Sequence, residues 1–221
     1  MRESEVVKNL NTFLFDKGLN YANEIRMGIG IPDVMIGFDI DNAHPNIANY
    51  YTLSIYSLLK RNEGKSFKEI LKTSNLTPRE MKQSIGLLEE LGIVSMEDSS
   101  ITVKDINLEH SGTTISIEVK VKDWKLGLLQ AQRYLQFSDY SYLALPVEHI
   151  ANVDKREVRK YGIGLLSVDN DVVIELIKPK ISKKCDSISK YISISSLINK
   201  ISKTSNTIDD NFFENTSMIW D

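Results

Sequence analysis

A chain of 221 residues has room for one moderate domain plus a small one, or for a single larger domain. Its 42% apolar content is ordinary for a globular protein, and no apolar run reaches the length that a membrane-spanning helix needs. The single cysteine, Cys185, rules out an internal disulfide and a cysteine-built zinc site, and a net charge of −3 is not the bulk charge of a nucleic-acid binder.

The opening Met1-Arg2-Glu3-Ser4-Glu5 enters a charged amphipathic segment without the basic-then-apolar layout of a signal peptide, so a reducing, cytoplasmic setting is expected. Val6, Val7, Leu10, Phe13 and Leu14 recur at helical spacing, and Lys17-Gly18 supplies a basic last turn and a C-cap glycine. A strand is expected from Tyr21 to Met27. The Gly28-Ile29-Gly30 break follows, then a second strand over Ile31 to Phe38 with proline near its start. No helix follows the two glycines, so they mark a turn rather than a nucleotide loop. Asp39 to Pro45 is polar and turn-prone, as a domain boundary would be.

Compact helical units follow. Tyr50 to Leu59 reads as a helix, and Ser66-Phe67-Lys68-Glu69 has the form of a capping box opening another. Thr77 can cap a third, with Pro78 at its first position and Glu80 three residues after the cap. Met81, Ile85, Leu88 and Leu91 give that helix one apolar stripe, and Gly92 ends it. Two short strands, Ile93 to Met96 and Ile101 to Val103, flank the polar tip at 97–100. Helix, helix, tight turn, helix and hairpin in that order match the winged-helix plan, a helix-turn-helix variant. Arg79, Lys82 and Gln83 lie near the start of the third helix, the end that enters a major groove in such modules, although carboxylates outnumber the basic residues of the insert.

The α/β texture then returns, with a strand over Thr113 to Lys122, a helix over Lys125 to Phe137 and a strand over Tyr142 to Leu145. A helix over Ala151 to Lys160 precedes a hairpin of Gly162 to Val168 and Val172 to Ile177. Beyond Pro179 the sequence is rich in Ser, Lys, Ile and Asn. Seven lysines between Lys178 and Lys203 face only Asp186, which reads as a solvated tail, partly disordered. The organisation expected is a core of 1–41 plus 111–178, an insert over 42–110 and an extension over 179–221.

Strand side chains alternate, so Ile115, Ile117, Val119 and Val121 share one face, and Glu118 and Lys120 project together from the other. A carboxylate beside an ammonium on a rigid strand suits phosphodiester hydrolysis: the first can bind a divalent metal, the second can orient water or offset developing charge. One carboxylate holds Mg²⁺ weakly, and Asp33, at the head of a strand whose Val34, Ile36 and Phe38 face the core, can supply a second if the two strands pair. Glu5, on the polar side of the first helix, is a third acidic candidate.

Asp33 in Ile-Pro-Asp followed by Glu118-Val119-Lys120 resembles the signature of the PD-(D/E)xK nuclease superfamily, whose members include restriction enzymes and Holliday-junction resolvases. The element order is similar, a first-helix glutamate such as Glu5 is common there, and Gln130 and Tyr134 match a glutamine and tyrosine often found on the helix after the signature strand. The resemblance covers the first forty residues and 111 to about 170; it departs from the family in the long separation of Asp33 from Glu118, which an inserted domain would explain. It implies a restriction-endonuclease-like mixed sheet flanked by helices, interrupted by a winged-helix insertion.

The activity so implied is Mg²⁺-dependent hydrolysis of DNA, with Mn²⁺ as a substitute. Asp33, Glu118 and the Val119 carbonyl would hold the metal, and Lys120 would position water and stabilise the transition state. Glu5 would order the metal site, and Gln130 would support the strand or the scissile phosphate. Lys122, Arg133 and Tyr134 would join Arg79, Lys82 and Gln83 in touching double-stranded DNA. A sequence-specific restriction enzyme is the first expectation, and a two-fold target would bring a homodimer with it. Competing readings are a repair or recombination nuclease, a non-catalytic DNA-binding or regulatory protein on a nuclease-like scaffold, and a winged-helix assembly factor.

Overall fold

The computed structural model describes residues 1–40, 50–63, 65–73, 76–97, 100–104, 112–170 and 172–204. By its contacts the chain divides into two compact units, residues 1–42 with 110–221, and residues 43–109.

The first unit opens with helix α1 (Glu3–Asp16), which buries Val6, Leu10 and Leu14 at helical spacing. Gly18, at φ +67°, turns the chain into strand β1 (Asn20–Asn23). This strand ends four residues earlier than the sequence pattern predicts, because Glu24 takes a left-handed backbone conformation, φ +53°. Strand β2 (Val34–Phe38) begins only after Asp33, and all five of its residues are buried.

The second unit, taken by itself, comprises helices α2 (Tyr50–Arg61), α3 (Phe67–Thr73) and α4 (Pro78–Glu90) and the hairpin β3 (Val94–Glu97) and β4 (Ser100–Val103). Thr77 and Glu80 form the expected capping box of α4, each bonding the other's backbone N–H. Met81, Ile85 and Leu88 are buried as the stripe predicts, but Leu91 is 38% exposed. It occupies the C-cap, where Gly92 at φ +67° has already turned the chain off the helix axis.

Back in the first unit come strand β5 (Thr113–Val119), helix α5 (Trp124–Tyr134) and strand β6 (Tyr140–Pro146). The helix predicted over 151–160 is two pieces, a 3₁₀ turn at Val147–Asn152 and helix α6 (Lys155–Lys160). The break lies at Asp154, whose carboxylate accepts the N–H groups of Arg156 and Glu157 and so starts a new helix. Strands β7 (Gly164–Asp169) and β8 (Val172–Ile177) follow, and helix α7 (Ser187–Thr204) ends the described chain.

Six strands form one mixed sheet in the order β1-β2-β5-β6-β7-β8, antiparallel except for the parallel pairs β5–β6 and β6–β7. Side-chain alternation gives it two apolar faces. On one, α1 packs on Val34, Ile36, Ile115, Ile117, Val119, Tyr142, Ala144 and Leu166. On the other, Leu128 and Ala131 of α5, Leu135 at its C-cap and Val158 of α6 cover Leu143, Leu145 and Leu165. Beside them α7 covers Met35 and Ala22 together with Tyr134 and Phe137. This α/β unit is therefore a mixed sheet flanked by helices.

The expected solvated extension is corrected for 187–204. Tyr191, Ile194 and Leu197 are fully buried, and Ile201 nearly so, on one face of α7. Lys190 pairs with Asp139 at 2.9 Å, and Asp139 in turn accepts the Thr114 N–H at 2.8 Å, which ties α7 to β5. The remaining expectation of disorder, beyond 204, lies outside the described residues.

Candidate active site

The chemistry-bearing side chains gather at one end of β2 and β5. Val34 lies opposite Ile117 in the antiparallel register, so Asp33, one residue earlier, comes across from Glu118. The Asp33 carboxylate accepts the backbone N–H of Val119 at 2.7 Å, a bond between residues 86 apart in sequence. By alternation Asp33, Glu118 and Lys120 share the face that α5 covers.

Glu118 is 2% exposed, and both of its carboxylate oxygens are engaged. One accepts from Lys120 Nζ at 2.5 Å; the other accepts from the Tyr134 hydroxyl. Lys120 lies just beyond the end of β5, with its ammonium 3.1 Å from the Val119 carbonyl oxygen and 3.8 Å from the Glu3 carboxylate. The Tyr134 hydroxyl also lies 3.0 Å from the Ile31 carbonyl, so this one phenol links α5, β5 and the loop that leads into Asp33. Gly30 makes that approach possible, because a Cβ there would meet the Tyr134 ring at 2.6 Å. Gly127 does the same for Lys120, whose side-chain stem lies 2.7 Å from where its Cβ would be.

Burial raises the carboxyl pKa of both Asp33 and Glu118. The Val119 N–H and the Lys120 charge oppose the rise at Asp33, and the bonds from Lys120 and Tyr134 oppose it at Glu118. Lys120 is pulled down by burial, but its bond to Glu118 and the charges of Glu118, Glu3 and Asp33 outweigh that and hold it above its usual value. The cluster thus keeps a cation between carboxylates in a site with little water.

Glu5, expected among these acids, stands elsewhere. Its carboxylate accepts the Arg2 backbone N–H at 2.6 Å and the Arg2 guanidinium at 3.1 and 3.2 Å, closing the N-terminus of α1. The Arg2 backbone bond is the main reason its pKa is lowered. The first-helix carboxylate that reaches the cluster is Glu3. A phase argument could have found it: at about 100° per residue, Glu3 lies within about 20° of Leu10 and Leu14, whereas Glu5 points to the opposite side. Glu24, also missed, adds negative charge near Asp33, and its N–H donates to the Asp33 carbonyl at 3.3 Å.

Gln130 and Tyr134 share a face of α5 at i,i+4 spacing. Tyr134 is buried in the cluster, and the amide oxygen of Gln130 is buried with no hydrogen-bond partner among the described residues. Arg133 and Lys122 are exposed, as are Arg79, Lys82 and Gln83, which share one face of α4 in the second unit. Among the described residues no three acidic, histidine or cysteine side chains gather closely enough to hold a metal. The oxygen donors at hand are therefore two carboxylates, Asp33 and Glu118, and the Val119 carbonyl.

No helix among the described residues is long and apolar enough to cross a membrane. No protein-family model matches the chain, and no curated protein does. A solved structure similar to it is the SPO1766 protein of unknown function from Silicibacter pomeroyi, at 14% identity and a TM-score of 0.45, over 92% of this chain and 86% of that one.

Proposed function

We propose that this chain is a metal-dependent endonuclease that hydrolyses DNA phosphodiester bonds, of the PD-(D/E)xK kind. The observation that carries the reading is the meeting of Asp33 with Glu118 and Lys120 across paired strands, although 86 residues separate Asp33 from its bonding partner Val119. Two carboxylates and a backbone carbonyl are hard oxygen donors, and they fit Mg²⁺, which keeps several of its waters and needs few protein ligands. Asp33, Glu118 and the Val119 carbonyl would hold it, with Mn²⁺ as a substitute. When bound, the ion supplies Lewis-acid activation of the phosphate and lowers the pKa of water.

The remaining chemistry belongs to the chain. Lys120, held as a cation by its acidic neighbours, orients the attacking water and offsets the charge that develops on the phosphorus oxygens. Tyr134 keeps Glu118 aimed at the site, and Glu3 holds the outer side of the Lys120 ammonium. The amide of Gln130, whose oxygen is buried without a partner among the described residues, is placed on α5 where its NH2 can donate to a bound phosphate group.

The second unit reads as a winged-helix insertion that docks duplex DNA through the exposed Arg79, Lys82 and Gln83, which favours a sequence-specific, restriction-type enzyme that cuts as a homodimer. One observation favours a non-catalytic DNA-binding scaffold instead: both Glu118 oxygens are already engaged by Lys120 and Tyr134. Incubating the protein with mixed-sequence duplex DNA and Mg²⁺ or Mn²⁺, beside Asp33→Ala and Lys120→Ala, separates the two. Discrete fragments from the wild type alone are expected; DNA binding without cleavage or metal uptake would establish the scaffold.

A further inference from the structure

The outer face of α5 has features that its packing does not require. Leu126, Leu129, Gln130 and Arg133 recur at i, i+3, i+4 and i+7 and so form one ridge. Leu126 is 48% exposed and Leu129 54% exposed, so both present apolar surface to solvent. The helix carries Lys125 and Arg133 and no carboxylate, in a protein whose net charge is −3. Lys122 precedes it, and the nearby Asp123 is engaged in capping, where it accepts the Leu126 N–H at 3.1 Å. The neighbouring face of the same helix, about 100° round from Leu126 and Arg133, forms one wall of the candidate active site: Gly127 lies against Lys120, and Tyr134 bonds Glu118. Ile31, whose carbonyl lies beside the Tyr134 hydroxyl, is 47% exposed as well.

Charge of this sign next to a phosphate-cleaving cluster suits a polyanion. The leucines narrow the choice further. Against the outside of an intact duplex they would meet phosphates and the edges of sugars, which offer little apolar surface, whereas an unstacked base presents a broad apolar face. Aliphatic wedges of this kind separate base steps in DNA-bending proteins.

We propose that the α5 ridge receives an unstacked stretch of the strand to be cut, with Leu126 and Leu129 against bases and Lys125 and Arg133 against phosphates. The active site then takes the scissile strand of its DNA in a locally opened form rather than as closed duplex. This rests on the nuclease reading of the adjacent cluster and names its substrate class.

The test is fluorescence anisotropy of the full chain in EDTA, where nothing turns over. One probe is a labelled oligo-dT strand of about 20 nucleotides and the other a duplex of equal length. The variants are Leu126→Gln with Leu129→Gln, which keep helix propensity at exposed positions, and Lys125→Gln with Arg133→Gln. The leucine variant is expected to lose about tenfold on oligo-dT and less than about threefold on duplex, a difference that persists in high salt. The cation variant is expected to weaken both probes and flatten the salt dependence. Equal losses on both probes would overturn the preference for an opened strand, and no loss in the leucine variant would overturn the proposal altogether.

Cleavage of the same probes with Mg²⁺ separates this idea from the one beneath it. Leucine-dependent binding of oligo-dT without cutting would remove the nuclease and keep the strand-binding ridge. Cutting that is indifferent to the leucines would do the reverse.

Discussion

Tyr134→Phe isolates the hydroxyl that joins Glu118 to the Ile31 carbonyl. The residue is 1% exposed, and its ring packs against Phe137 with centroids 5.6 Å apart. Phenylalanine keeps that packing and leaves no cavity. What is lost is a bond to a buried carboxylate, worth about 1.5–3 kcal/mol because the acceptor is charged. Urea unfolding at pH 7 should show a loss of that size.

The loss should also depend on pH. Burial already raises the Glu118 pKa above its unfolded value, so its ionisation weakens folding as pH rises from the ordinary carboxylate range through the folded pKa. Removing the Tyr134 bond raises that pKa further and extends the decline to higher pH. The difference between wild type and variant should therefore be smallest at acid pH, where Glu118 is protonated in both, and grow as pH rises through its folded titration. On the proposed function, cleavage would need Glu118 ionised to hold the metal and should show an acid limb displaced toward higher pH. A loss below about 0.5 kcal/mol at pH 7, or one independent of pH, would refute the reasoning, because it would show the hydroxyl exchanging water rather than holding Glu118.

Other outcomes follow from the same geometry. Glu3→Gln should weaken Mg²⁺-dependent cleavage, since it removes a charge facing Lys120, whereas Glu5→Gln should leave the rate unchanged and lower the melting temperature slightly through the lost capping box; steady-state rates and thermal melts of the pair check this. Leu197→Ala removes a fully buried side chain from the cluster that includes Tyr134, and should cost about 2–5 kcal/mol in urea unfolding, whereas a solvated tail would give no change. Burial pushes the Cys185 thiol up to about 12, so a thiol reagent at pH 8 should label the native protein slowly and the unfolded chain at once. Because the folded state holds that proton more tightly, the same thiol should also erode stability as pH rises from about 9 toward 12.

Much of the site was legible because its rules are local. Alternation along 115–121 is enough to put Glu118 and Lys120 on one face, and the i,i+4 spacing of Gln130 and Tyr134 puts both on one side of α5. The Thr77–Glu80 capping box is likewise decided within four residues, and the structure forms it as read. Glu5 marks the limit of a local pattern. A residue on the polar side of α1 points to solvent, so the carboxylate able to reach a buried site had to lie on the apolar stripe, where Glu3 stands. The lysines and serines of α7 dominate its composition, yet Tyr191, Ile194, Leu197 and Ile201 carry a helical period that composition hides.

Local chemistry along the chain sets the alternating strands, the helix caps, the apolar stripe of α1 and the shared face of Glu118 and Lys120, since each depends only on neighbours a few residues away. Only the tertiary structure decided that Asp33 stands across from Glu118, that Tyr134 clasps that glutamate while α7 packs beside the phenol ring, and that Glu3 faces Lys120. Those relations join residues up to 86 apart. They are set by strand register and by which helix covers which face, and no spacing along the chain encodes either.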